Sequence, residues 1–262
     1  MSAQHTSRFR RAVAQTDGPA LGTWVKIPAM ESMELVALAG FDFAVIDLEH
    51  SAMSTESAYR LIGTARFAGI APIVRIPELN AGYVQRMLDA GAEGIMVPHI
   101  DTVSDAEQAV RFLRFPPLGN RGVGATSRAG AWGLMERTEY LRYGREEVVL
   151  IAQIESEQAA RAAGDIAAVE GLDALLVGAA DLSTSMGRAE DDPVVVDLIA
   201  RVVAEATSRG IPVGNSGGAS VEAVRRAVDA GFVFTMLSND ATLLGTAARD
   251  AVANGRSVRY ER

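Results

Sequence analysis

The sequence predicts a single (β/α)8 barrel. Three observations predict it: eight short apolar, β-branched runs, a longer amphipathic stretch after most of them, and polar residues where the runs end. The 262 residues suit one barrel of ordinary size, and no Gly-rich linker or charge run divides them. Residues 16–262 are read as the barrel. Residues 1–15 are read as a flexible N-terminal arm or short cap, with His5 inert in it. A doubly wound open sheet is the alternative architecture.

In order, the strand-like runs are LGTWVKI (21–27), FAVIDLE (43–49), APIVRIP (71–77), GIMVPHI (94–100), VVLIAQIE (148–155), ALLVGAAD (174–181), IPVGNS (211–216) and FVFTMLSN (232–239). Continuous apolar strands are buried on both faces, as in a parallel sheet covered by helices. Helical stretches such as SMELVALAG, SAYRLIGTARFAG, YVQRMLDAG and SVEAVRRAVDAG lie between them. Gly40, Gly69, Gly91, Gly210 and Gly231 close five helices, while Ser104 and Ser220 stand as N-caps. The longest irregular stretch is residues 115–133, a length often associated with function.

Composition removes several classes of function. There is no cysteine, which excludes disulfides, thiolate catalysis and cysteine-zinc sites. The net charge of −8 argues against nucleic acid or an anionic membrane as partner. The N-terminus lacks the apolar core of a secretory signal, and no apolar run approaches the ~18 residues of a membrane span. A cytoplasmic protein is the expectation. No Walker motif, dinucleotide fingerprint or G-x-S-x-G elbow occurs in context, which argues against nucleotide and serine-hydrolase chemistry. Glycines in VGAAD (177–181) and RGVG (121–124) allow close backbone approach to an anion, a weak signal taken alone.

The strand ends carry the chemistry. They offer Lys26, then Asp47, Glu49 and His50, then Arg75, His99, Gln153 with Glu155, Asp181, Asn215, and Ser238 to Asp240. In a parallel barrel these tips converge on one face, where such enzymes place their sites. Any one of them is better explained as a strand re-entering solvent; for the set that explanation weakens. Glu155 and Asp181, on neighbouring strands, are the best metal-ligand candidates, since an all-oxygen pair suits a hard divalent ion. Carboxylate pairs also occur as solvated rims. His50, beside Asp47 and Glu49, has the surroundings of a general base. His99 reads as a core residue or as support for others. Lys26 is a conceivable Schiff-base lysine, read instead as structural or surface charge.

At these residues the sequence resembles the HpcH/HpaI aldolase family, class II pyruvate aldolases acting on 4-hydroxy-2-oxo acids. The resemblance rests on GFDFAVIDLEH (40–50), PIVRIP (72–77), MLDAG (87–91), RFPPLGNRGVGATSRAGAWG (114–133), AQIES (152–156) and EGLDALLVGAADLSTSMG (170–187), in order over residues 20–250. It implies a barrel that is often a hexamer, a trimer of dimers, with a C-terminal helix exchanged between paired subunits. It implies Glu155 and Asp181 as ligands of Mg2+, Mn2+ or Co2+, His50 as general base, Asp47 as the acid beside it, and Asp89 as a second acid raising that base's pKa. Arg75 then stabilises the enolate, and Gln153 with the backbone at Ala180 and Asp181 holds the 2-oxo acid. The implied reaction is reversible cleavage to pyruvate and an aldehyde. A related acyl-CoA lyase, or an enzyme using the enolate of oxaloacetate, is the alternative. The chain departs from the family pattern at Leu48, Ala179, Ser238 and residues 215–220. These positions border the pocket and leave the aldehyde open.

Overall fold

The computed structural model describes residues 6–259, and all eight predicted strands are present in it. In chain order the elements are α1 (Arg8–Val13), β1 (Ala20–Val25), α2 (Met30–Leu38), β2 (Phe43–Asp47), α3 (Thr55–Ala68), β3 (Ala71–Arg75), α4 (Ala81–Asp89), β4 (Gly94–Val97) and α5 (Val103–Leu113). A 3-10 turn (Arg128–Gly133) follows, then α6 (Arg137–Glu146), β5 (Val149–Ile154), α7 (Glu157–Ala167), β6 (Ala174–Val177), α8 (Ala179–Ser185), α9 (Pro193–Thr207), β7 (Val213–Gly217), α10 (Val221–Asp229), β8 (Phe234–Asn239) and α11 (Asp240–Ser257). The strands pair in sequence order, all parallel, and β8 closes on β1. The open-sheet alternative is thereby excluded.

Local chemistry explains the boundaries. Gly40, Gly69, Gly91, Gly210 and Gly231 all have positive φ, the left-handed backbone that ends a helix at little steric cost. Ser220 caps α10 as expected, whereas the N-cap of α5 is Thr102, two residues before Ser104: Thr102 and Asp105 form a reciprocal capping box. β4 stops at Val97, short of the predicted end, because Pro98 has no N–H to give the ladder. β6 stops at Val177 because Gly178 already caps α8.

Side chains alternate across each strand. One set, including Trp24, Phe43, Val45, Ile73, Met96, Ile151, Leu176 and Phe234, fills the barrel interior. The other packs against the helices as a larger layer. Gly22 leaves space for a ring: a Cβ there would lie 2.3 Å from Phe43.

The N-terminal segment is a cap rather than a frayed arm over its described part. Phe9 of α1 inserts between Phe43 and Phe234, with ring centroids at 5.0 and 5.4 Å in edge-to-face geometry. Arg8 pairs with Glu93 and Arg10 with Asp173. His5 lies outside the described residues. The irregular stretch 115–133 joins α5 to β5 and therefore runs at this same N-terminal end, away from the strand tips. Arg121 pins it to Asp89 at 2.9 Å, and Arg128 stacks 3.6 Å over Tyr59. Among the described residues, no helix is long and apolar enough to cross a membrane.

Candidate active site

The inward register of the strands leads directly to charge at their C-terminal ends. Phe43 and Val45 point inward, so Asp47 and then Glu49 follow on the same face. Ile73 is followed by Arg75, and Val149 and Ile151 by Gln153 and Glu155. Charges buried at the barrel mouth are costly unless paired.

Asp47 and Arg75 form the most buried pair, 0% and 6% exposed. Arg75 donates from Nε to Asp47 Oδ1 at 3.0 Å and from Nη2 to Oδ2 at 2.8 Å. The backbone N–H groups of Glu49 and His50 also donate to Oδ1, each at 3.1 Å. Burial pushes the Asp47 carboxyl up, but the bonds and charge of Arg75, the His50 amide and the Lys26 charge together hold it below its ordinary value. The guanidinium continues to Glu49, with Nη1 3.0 Å from Oε2, and lies 4.1 Å over the Trp24 ring. Lys26 Nζ is 3.4 Å from Asp47 Oδ2. Lys26 therefore belongs to the mouth of the barrel, not merely to the surface.

A second cluster stands beside the first. Glu49, His99 and Glu155 each offer a ligand atom, and these lie within 4.8 Å of one another. His99 Nδ1 is 2.7 Å from Glu155 Oε1, and its Nε2 is 3.3 Å from Glu49 Oε1. The His99 amide donates to the same Glu155 oxygen, and Gln153 Nε2 donates to the other at 3.0 Å. Burial, then the charges of Glu49 and Asp181, raise the Glu155 carboxyl above its ordinary range despite the opposing pull of His99. Asp181 is exposed in the first turn of α8, beside Ala180. A Cβ on Gly178 would sit 3.5 Å from Glu155 Oε2 and 3.8 Å from Asp181 Oδ2, so the two carboxylates flank that glycine. Gln153 Oε1 is buried with no hydrogen-bond partner. Crowded carboxylates, a raised Glu155 and an orphaned carbonyl oxygen all fit a divalent cation at this place.

The structure revises several expectations. His99 is not a core residue: its side chain is 68% exposed, its φ is +54°, and its ring bridges two acids. Glu49, read from the sequence only as a neighbour of His50, belongs to the same cluster. Spacing was the available signal, since two residues along a strand return to one face. His50 is 59% exposed, and its nearest acid is Glu49, with Nε2 3.8 Å from Oε2; Asp47 holds its backbone rather than its ring. Asp89 ends α4, at the opposite end of the barrel from His50, and pairs there with Arg121. Within one chain the structure does not bring Asp89 to His50. Ser238 has φ +61°, a strained backbone for a non-glycine residue, beside an irregularity in the β1–β8 ladder.

Known proteins are similar to this chain in sequence and fold. A hydroxypyruvate/pyruvate aldolase of Paraburkholderia phytofirmans is 34% identical over 261 residues, 96% of this chain and 98% of that protein. A 5-keto-4-deoxy-D-glucarate aldolase of Escherichia coli O6:H1 is 30% identical over 245 residues, 93% and 94% of the two chains. The crystal structure of an HpcH/HpaI aldolase/citrate lyase family protein from Burkholderia cenocepacia J2315 superposes with TM-score 0.89 at 34% identity, covering 96% of this chain and 100% of that one. The sequence model of the HpcH/HpaI aldolase/citrate lyase family matches residues 20–246, and the chain belongs to that family.

Proposed function

We propose that the protein is a divalent-metal-dependent aldolase that reversibly cleaves a 4-hydroxy-2-oxo acid to pyruvate, or a closely related 2-oxo acid, and an aldehyde. The observation that carries this reading is the Glu49–His99–Glu155 cluster set directly against the Arg75–Asp47 pair. The hydroxypyruvate/pyruvate aldolase relative supports it. Exposed Leu244 and Val252 on α11 support a homo-oligomer, which sedimentation would measure.

Each residue has a task its position suits. Glu155 and Glu49, with Asp181 across Gly178 and His99 alongside, would hold the cation. When bound, that ion supplies Lewis-acid polarisation of the 2-oxo group and neutralises developing negative charge. Gln153 orients Glu155 through its amide. Arg75, fixed by Asp47, places a permanent positive charge where the enolate oxygen forms. His50, exposed at the mouth, takes the 4-hydroxyl proton onto its ring as the C3–C4 bond breaks. The bonding pair stays with C3 as the enolate, C4 leaves as the aldehyde carbon, and a proton returned to C3 gives the 2-oxo acid.

The experiment is a matrix of pyruvate and hydroxypyruvate against an aldehyde panel, with Mg2+, Mn2+ or Co2+, and with EDTA. Aldol product should form with metal and vanish on chelation. Full turnover in EDTA, or borohydride trapping of the donor on a lysine, would overturn the reading.

A further inference from the structure

The N-terminal end of the barrel carries an uneven balance of charge. Four arginines there find carboxylates: Arg8 pairs with Glu93, Arg10 and Arg114 with Asp173, and Arg121 with Asp89. Arg66, in the last turn of α3, and Arg128, at the start of the 3-10 turn, have no carboxylate partner among the described residues. Arg66 donates from Nη1 to the Gly91 carbonyl at 3.2 Å. Arg128 donates from Nη1 to the Tyr59 and Ala90 carbonyls at 2.7 and 3.1 Å. Arg75 grips Asp47 by its Nε–Nη2 edge. On Arg66 and Arg128 that edge has no partner among the described residues. The two side chains converge over Gly91, where a Cβ would collide with Arg66 Nη1 and lie 3.3 Å from Arg128 Cδ.

Both arginines line a cavity of about 250 Å3, together with the paired Arg8 and Glu93. Three arginines against one glutamate leave it at +2, in a chain whose net charge is −8. Tyr143 lines it too. This residue is only 8% exposed, and its hydroxyl has no hydrogen bond among the described residues. Burial, then the charge of Glu93, push the phenol up, so the hydroxyl keeps its proton as a donor. The rest of the lining includes two bare aromatic side chains: Phe67 is 95% exposed and Trp132 62%. Ala131 and Trp132 have φ of +50° and +60°, left-handed backbone in two successive non-glycine residues. That conformation costs free energy, and here it sets an indole at the edge of a cationic cavity. A bare inorganic ion would meet the guanidiniums and leave both rings in water. A ring bearing a carboxylate meets both.

We propose that this cavity binds a small aromatic carboxylate, with its oxygens on Arg66, Arg128 and the Tyr143 hydroxyl and its ring against Phe67 and Trp132. Drug-sized ligands occupy pockets of ~300–1,000 Å3, so this smaller cavity limits the guest to one or two rings. The strand tips lie at the opposite end, so the guest leaves the barrel mouth free. The inference therefore stands apart from the aldolase reading.

The test is calorimetric titration of the full chain with 1-naphthoate, 1-naphthalenemethanol and inorganic phosphate, repeated with Mn2+ and pyruvate present. Naphthoate should bind equally well with and without pyruvate, and the neutral alcohol at least about tenfold more weakly. R66M should weaken naphthoate about tenfold. F67S changes a side chain almost wholly in solvent, so it leaves folding intact, and it should weaken naphthoate severalfold. Equal binding of the alcohol would make the cavity simply apolar, and equal binding of phosphate would make it a site for any anion; either result overturns the stated class. Displacement by pyruvate, or unchanged affinity in both R66M and F67S, would put the carboxylate elsewhere and overturn the site. Absence of naphthoate binding overturns the proposal outright, and a shift of F67S to smaller species in sedimentation would then identify this face as a subunit contact.

Discussion

Arg75 and Asp47 are register partners in the β2–β3 ladder, and their side chains meet again above it in two parallel hydrogen bonds of 3.0 and 2.8 Å. The strand pairing thus places both ends of the fork before any substrate arrives. The fork requires a planar guanidinium, since Nη1 must also reach Glu49. R75K keeps the charge but loses the geometry, and kcat should fall about 100-fold with the fold intact. R75M leaves buried Asp47 only the Lys26 ammonium, at 3.4 Å, as counter-charge and should cost about 3 kcal/mol in denaturant unfolding. Near-normal kcat in R75K would remove the orientation argument.

The carboxylates around the second cluster can be ranked by metal affinity. Glu155 is buried and lies at the centre, with Glu49 on one side and Asp181 across Gly178. E155Q should weaken Mn2+ binding most, and E49Q and D181N should each weaken it at least about tenfold. Calorimetry on chelator-stripped protein measures this without substrate. If D181N bound metal as wild type does while E49Q did not, the cation would belong to Glu49, His99 and Glu155 instead of the Glu155–Asp181 pair read from the sequence.

At the other end of the barrel the ring cluster serves stability. Phe9 closes the interior through edge-to-face contacts with Phe43 and Phe234. F9A opens a cavity among rings that cannot readily collapse and should cost about 3–5 kcal/mol. The activity of the remaining folded protein should be unchanged, because the strand tips lie at the far end. A selective loss of kcat with unaltered stability would contradict that separation.

The barrel was legible because its two signals are linear in the chain: apolar runs give strands, and residues two apart share a face. Asp47, Arg75, Gln153 and Glu155 are placed by that same rule. His99 escaped it because its position depends on a dihedral angle. Pro98 ends the ladder, the backbone turns left-handed, and the ring swings between Glu49 and Glu155. Apolar patterning carries no record of that turn. Lys26 escaped for a related reason. Its neighbour Asp47 lies on the next strand, and Asp240, whose carboxylate accepts from the Lys26 amide, comes more than 200 residues later. Asp89 shows the converse, a match in local sequence whose structural partner within the chain is Arg121.

His50 offers the sharpest division of labour. Its exposed ring stands apart from the buried Arg75–Asp47 pair, which holds only its amide. Aldol cleavage needs a base to take the 4-hydroxyl proton, whereas decarboxylation of oxaloacetate forms the same pyruvate enolate by releasing CO2 and needs no such base. H50A should therefore lower aldol cleavage about 100-fold or more while oxaloacetate decarboxylation persists. R75K should impair both, because both develop charge on the enolate oxygen. Measuring the two reactions in the two variants yields a four-way comparison. Parallel loss of both reactions in H50A would assign the imidazole to binding or metal support, and the proton transfer would then require another group at the mouth.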